Sequence, residues 1–411
     1  MKTKLKLLLV ISLMACNLIR AQAPLLSLDT VLAKINQSNP ALLAYTAKAN
    51  AQKEYAKGAR NLDAPQFSAG QYQVPYSFNP NMGSFMVQAS QNFTNPAKLN
   101  AKEKYMQGIS AVTAQEQAYI KNQLLAQARG YYYRQAVIEK KLAQLENTKR
   151  LFEYMLKDAS IKLTYGKEKL ENIYKVKADL YQLDNSLEQL DNDIRQNRVM
   201  LNTLMYRDKQ SDFRVDTNIL IKNYETRFTD TAGLAVSRSD IKMIDRNIQL
   251  QQLNAGMELS KRKPDFGVQA GHMFSYGGQP NQYILMGTIS IPIASWSSKE
   301  YKANLKGIRY EVEELQNEKL AKLNEAAGLL ASLKLDIASK KRLLANYQLN
   351  IIPALQNSYK TALQAYEQNT GDLAAVLDAI KNVQLMRMEA LDRLQELLQL
   401  QVAYEKENEA Y

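Results

Sequence analysis

Residues 264–293 read PDFGVQAGHMFSYGGQPNQYILMGTISIPI, and the alternation in this stretch decides the fold. Phe266, Val268, Ala270, Phe274 and Tyr276 fall on one side; Asp265, Gly267, Gln269, Gly271 and Ser275 fall on the other. A period of two is the signature of a strand, because successive side chains point to opposite faces. Gly277-Gly278-Gln279-Pro280-Asn281 has turn chemistry. After it, Tyr283, Leu285, Ile289, Ile291 and Ile293 continue the apolar side. The pattern predicts two strands, over 266–276 and 283–293.

The first half of the chain carries a second copy. Pro65-Gln66-Phe67 corresponds to Pro264-Asp265-Phe266, and Asn39-Pro40-Ala41-Leu42-Leu43 to Arg238-Ser239-Asp240-Ile241-Lys242. Ser90-Gln91-Asn92-Phe93 ends its second strand as Ser290-Ile291-Pro292-Ile293 ends the other. Strands are expected over 65–75 and 84–94, with Phe85, Val87, Ala89 and Phe93 opposite Met86, Gln88, Ser90 and Asn92. Each half thus runs short helix, strand, turn, strand, very long helix. A unit with two strands cannot cover its own strand edges, so the repeat points to an assembly.

The helices follow from apolar spacing. Residues 27–60 form a helix capped by Ser27 or Asp29 and broken at Pro40. Residues 97–163 contain no proline and only Gly108 and Gly130; as one helix they would span roughly 100 Å. Residues 167–206 show a coiled-coil seam through Leu170, Ile173, Val176, Leu180, Leu183, Leu187, Leu190, Ile194, Leu201 and Leu204. Residues 296–365, kinked at Pro353, and 372–405 repeat the pair. The divisions expected are a first repeat over 24–206, a polar connector over 207–235 and a second repeat over 236–411.

The N-terminus is a leader. Lys2, Lys4 and Lys6 precede an apolar run from Leu7 to Ala15, the pattern of a secretory signal. Loss of 1–23 lowers the net charge from +12 to +8. Two cleavage readings stand: near Ala21-Gln22-Ala23, or after residue 15 with lipidation of Cys16, since Leu13-Met14-Ala15-Cys16 resembles a lipobox. Cys16 is the sole cysteine, so no disulfide or thiolate metal site is expected. No basic tract with interleaved aromatics suggests nucleic-acid binding. No apolar run of 18 residues follows the leader, so a membrane span would have to be a β-barrel. Four strands of that length suit one, with Tyr72, Tyr76, Phe274, Tyr276 and Tyr283 placed for an aromatic girdle. A soluble four-stranded sheet packed on helices fits the strands equally well; the leader and the long helices favour the membrane. The fold class is therefore mostly α with a transmembrane β-barrel part.

Catalytic chemistry is not indicated. His272 stands alone inside a strand, as a gate or metal ligand or as a plain surface or lumen residue. Phosphate loops, metal-spaced His/Cys/Asp clusters and nucleophile elbows are not found. The scattered methionines suit packing. An enzyme is not expected, nor a cofactor or metal. More telling are two helix reversals, Tyr165-Gly166-Lys167 and Asn369-Thr370-Gly371-Asp372. Gly and Asn tolerate the left-handed backbone that such turns need; two equivalent tips at one end of a tube would be a natural docking surface for a partner, the alternative being that they are merely turns.

The order of these elements resembles the TolC-like outer-membrane efflux family over nearly the whole mature chain. Leu201-Asn202-Thr203-Leu204-Met205-Tyr206-Arg207-Asp208 is similar to the end of that family's first repeat, and Arg238-Ser239-Asp240-Ile241-Lys242 to the start of its second. Gly166 falls at the glycine of the first helical tip. Tyr366, Asn369 and Val376-Leu377-Asp378-Ala379 resemble the second tip, with Asn369 where glycine is usual. The resemblance implies a homotrimer with a 12-stranded barrel in the outer membrane, continuing into a periplasmic helical barrel. It implies an inner-membrane pump and a periplasmic adaptor docking at the tips, and Asp378 at the entrance, with Ala375 where a second aspartate is usual. Gln91-Asn92-Phe93-Thr94-Asn95-Pro96-Ala97-Lys98-Leu99 is similar to a run in the branch serving heavy-metal pumps, although Ala97 replaces glycine. That implies passive conduction of heavy-metal cations; drugs or small molecules are the alternative cargo. A periplasmic coiled-coil adaptor or scaffold without a barrel is the competing class.

Overall fold

The computed structural model describes residues 24–77, 79–225 and 230–409. The expected signal peptide and Cys16 lie outside the described residues. Strand β1 (Leu25–Leu26) is followed by helices α1 (Leu28–Ser38) and α2 (Pro40–Lys57). Ser27 caps α1, its Oγ accepting the Thr30 N–H at 3.2 Å. The break falls at Asn39, whose extended backbone (φ −69°, ψ 122°) is the conformation that a following proline imposes.

Next come β2 (Gln66–Tyr72), β3 (Ser84–Phe93), α3 (Pro96–Thr164) and α4 (Leu170–Leu204). After the connector's short β4 (Arg214–Val215) and α5 (Thr231–Ser237), the order returns as α6 (Ser239–Ser260), β5 (Asp265–Ser275), β6 (Gln282–Ser290) and α7 (Ser295–Asn346). A π turn (Tyr347–Ile351) leads into α8 (Ile352–Glu367), and α9 (Leu373–Asn408) closes the chain. The kink expected at Pro353 takes the form of this π turn. Pro353 has no N–H to donate and its ring crowds the carbonyl four residues back, that of Leu349; the wider turn relieves both.

Four strands form one antiparallel sheet in the order β2-β3-β5-β6. The row Phe67, Ala89, Ala270, Leu285 shows the register across it. Strand lengths are 7, 10, 11 and 9 residues. Two fall short of the expected eleven residues by more than one. β2 stops at Tyr72 because Gln73 turns left-handed (φ 54°) ahead of Pro75. β6 stops at Ser290 because Pro292 cannot donate to a ladder.

The chain forms two compact units, each assembled from distant segments. One takes Ala41–Ile120 and Thr231–Ala326, and holds the sheet, α2, α6 and the first parts of α3 and α7. There Gly108 lets α3 approach α6: a Cβ would lie 2.9 Å from Leu253. The other takes the chain up to Pro40, Lys121–Asp230 and Ala327 onward. It has two cores. One joins Val31, Ile35, Tyr132, Leu201, Phe213 and Val215; the other joins Phe152, Met155, Ile173, Val176, Leu373 and Leu377. Each fully buried large side chain contributes about 1.5–3 kcal/mol. The seam expected on α4 is buried at Ile173, Val176, Leu183, Ile194 and Leu201, whereas Leu170, at the helix start, is exposed.

Candidate functional site: helix turns and the sheet wall

The two helix reversals have one geometry. At the end of α3, the Lys167 N–H donates to the Lys162 carbonyl (2.9 Å) and the Gly166 N–H to Leu163 (3.0 Å). At the end of α8, the Thr370 N–H donates to Ala365 (2.9 Å) and the Asn369 N–H to Tyr366 (3.1 Å). Both are Schellman closures, and the left-handed residue is Gly166 (φ 69°) in one and Asn369 (φ 59°) in the other. Asn369 thus takes the glycine's place directly, which its short polar side chain tolerates. Gly371 is required for a different reason: a Cβ there would meet Ala365 Cβ at 2.9 Å. Asp372 then caps α9, accepting the Ala374 N–H at 3.3 Å.

The structure brings these turns together. Asn172 Nδ2 donates to Glu168 Oε1 (2.7 Å) and across to Asp372 Oδ1 (3.2 Å). Lys162 Nζ lies 3.5 Å from the centre of the Tyr366 ring, a cation–π contact, and 3.3 Å from Asp158. Tyr366 is buried, with its hydroxyl beside the Asp158 and Glu168 carboxylates. Burial first, then the nearby Asp158 and Glu168 carboxylates, push its pKa far above the usual tyrosine range. Tyr165 and Lys167 stay exposed. Asp378 and Ala375 are exposed on α9. Asp378 also acts on Lys175, whose pKa is raised chiefly by its bond to Glu171, with Asp372 and Asp378 adding to it. One turn further on, Lys381 pairs with the buried Asp179 at 2.7 Å, tying α9 to α4.

The sheet has two unlike faces. Phe67, Phe85, Val87, Phe93, Phe266, Val268, Phe274, Tyr283, Leu285 and Ile289 share one of them, and all are exposed. His272 belongs to this apolar face, not to the polar one. It stands between Val87 and Tyr283, its ring 4.6 Å from that of Phe274. The opposite face carries amides, hydroxyls, glycines and methionines, among them Gln88, Ser90, Met273 and Thr288.

The run Gln91–Leu99 is a junction between sheet and helix. Gln91 Nε2 donates to the Asp63 carbonyl (2.8 Å), and Asn95 Oδ1 accepts the Ala97 N–H (3.0 Å). Asn95 N–H donates to Asp265 Oδ1 and its Nδ2 to the Pro264 carbonyl, both at 2.9 Å. Lys98 pairs with Asp265. Asn95 and Lys98 therefore fasten α3 to β5, and Gln91 ties β3 to the segment that leads into β2.

One polar cluster escaped the sequence reading. Glu405, buried on α9, takes Tyr224 Oη and Lys222 Nζ at 2.5 Å and lies 3.5 Å from Arg129. Tyr224 also stacks on Tyr404 at 4.5 Å. These contacts hold the connector against α9 and α3. Nothing in residues 222–225 announces it, because the partners are separated by over 180 positions. No group of three His, Cys, Asp or Glu among the described residues is placed to hold a metal, and no described helix is long and apolar enough to cross a membrane.

No protein-family model and no curated protein matches this sequence. Solved structures do match it. The outer-membrane channel OprN superposes with a TM-score of 0.74 at 14% identity, covering 93% of this chain and 89% of that one. The outer membrane protein VceC of Vibrio cholerae gives 0.71 at 14%, covering 93% and 95%. The open state of the outer membrane channel MtrE of Neisseria gonorrhoeae gives 0.71 at 12%, covering 93% and 88%. At such identities the likeness is one of backbone rather than of side chains, and it settles the architecture: the chain has the fold of outer-membrane channels.

Proposed function

We propose that three copies of this chain form an exit duct in the outer membrane, with the helical part in the periplasm. The observation that carries this reading is the sheet. Among the described residues, β2 pairs only with β3 and β6 only with β5, so both edges are open beside an exposed apolar face. Pairing β2 of one copy with β6 of the next would close a 12-stranded barrel and satisfy every edge, which a bilayer demands. The apolar face then meets lipid and the polar face lines a wet lumen.

In this reading the helix turns Tyr165-Gly166-Lys167 and Asn369-Thr370-Gly371-Asp372 meet a periplasmic adaptor and an inner-membrane pump. Asp378 supplies one carboxylate per copy to the entrance, where three would raise local cation concentration modestly. Heavy-metal cations are the cargo to test first, on the similarity of Gln91–Leu99. Since those side chains hold the junction, choice of cargo is assigned to the pump. The protein acts as a passive conduit, not an enzyme.

The test is the mass and shape of the detergent-purified protein, by light scattering with electron-microscope images. A trimer of elongated particles is expected, longer than α3 alone, which spans about 100 Å. A monomeric soluble particle would refute the barrel and favour a periplasmic scaffold.

A further inference from the structure

The 28 residues of Gln66–Phe93 and the 25 of Phe266–Ser290 contain no Lys, Arg, Asp or Glu, in a chain that is 23% charged. These two segments comprise β2, β3, β5 after its first residue, β6 and both connecting loops. Charge is thus missing from the lipid-side face, where the bilayer would exclude it, and equally from the polar face and the loops, where water would tolerate it. The exception within the strands is Asp265 at the start of β5, and Lys98 pairs with it. His272 points with the apolar residues, away from the polar wall.

Fixed charges of one sign in a narrow passage focus potential and bias which ions enter. A wall of Gln66, Gln88, Gln269, Ser90, Asn92 and Thr288 offers hydrogen bonds of both polarities and no net field. We infer that the sheet section of the duct does not discriminate by charge: cations, anions and neutral polar molecules pass it alike, limited by size. This rests on the barrel reading above. It also makes the outer section as suitable for organic solutes as for metal cations, so any charge preference has to arise among the helices.

Single-cysteine variants test it, in the full-length protein reconstituted in liposomes. Ser90→Cys and Gln269→Cys lie on the polar face, Val268→Cys on the apolar one. Each is reacted with a cationic and an anionic methanethiosulfonate of similar size, and the rate ratio is divided by that of a small free thiol. The expected normalised ratio at Ser90→Cys and Gln269→Cys is within about threefold of one; a wall potential of one kT/e would shift it about sevenfold. Adding Gln88→Glu should move the ratio toward the cation and proves the probe sensitive. A bias of about tenfold or more without that substitution overturns the inference. Rapid reaction at Val268→Cys with none at the polar-face sites would instead overturn the barrel reading.

Discussion

Arginine placed on one face of β5 or on the other should have unequal consequences. Val268 and Gln269 are neighbours in one strand. Val268 is 48% exposed on the apolar face, between Gln91 and Gly287; Gln269 faces the polar side, between Ser90 and Met286. From Phe266 to Phe274 the apolar face extends about 27 Å along the strand, or about 20 Å across a bilayer at a 40° tilt. Val268 lies one step in from the end of that span. Arginine in a barrel costs about 2–4 kcal/mol at the midplane and about 0–1 near the interface, so Val268→Arg should cost about 1–3 kcal/mol per chain. For the proposed trimer that amounts to about 3–9 kcal/mol. Gln269→Arg keeps its charge in water and should cost under about 1 kcal/mol. The assay is the urea midpoint of the liposome-embedded protein, with the yield of trimer in the outer-membrane fraction. Equal losses for the two variants, or none at Val268→Arg, would refute the assignment of faces.

Gly371→Ala should destabilise the second helix turn by about 1–3 kcal/mol, since the new methyl overlaps Ala365; Asn369→Gly should be near neutral, and hydrogen exchange at the Thr370 amide reads both. Gly166→Pro cannot adopt the left-handed backbone, and it should abolish transport while the trimer still assembles; loss of the trimer would remove the docking role. Tyr366→Phe should change neutral-pH stability by no more than about 1 kcal/mol. The raised pKa of Tyr366 means that the folded chain keeps a proton the unfolded chain releases above about pH 10, so wild-type stability falls as pH rises beyond that point. Urea melts of Tyr366→Phe from pH 9 to 11 should show a shallower fall; parallel curves would contradict it. Glu405→Ala removes the acceptor of Tyr224 Oη and Lys222 Nζ and should cost about 1–3 kcal/mol, with new proteolysis near Tyr224; intact resistance would show that the connector is held elsewhere.

Much of this was legible in the sequence because periodicity reports on faces. The alternation at 266–276 specifies which residues are exposed, and the apolar spacing of α4 its buried seam except at Leu170. Gly166 marks its turn openly. Asn369 does so less plainly, and the two residues share one backbone role that only the matching hydrogen bonds display. What was not legible depends on register between distant strands or helices. Strict alternation already put His272 with Phe274, but only pairing with Val87 and Tyr283 shows a continuous apolar row around it. The Asn172–Asp372 link and the Glu405 cluster join residues 200 and 181 positions apart, and no local pattern encodes such contacts.

Both compact units draw on segments from each half of the chain. The core holding Phe152 and Ile173 is completed by Leu373, Leu377 and Ile380, and the sheet needs β5 and β6. A growing polypeptide therefore cannot finish either unit early: the sheet waits for Ser290, and the helical core waits for the last helix. Contacts of such long sequence separation form slowly. Both the complete sheet and the complete helical core are therefore late products of synthesis, and neither half of the chain is a folding unit by itself.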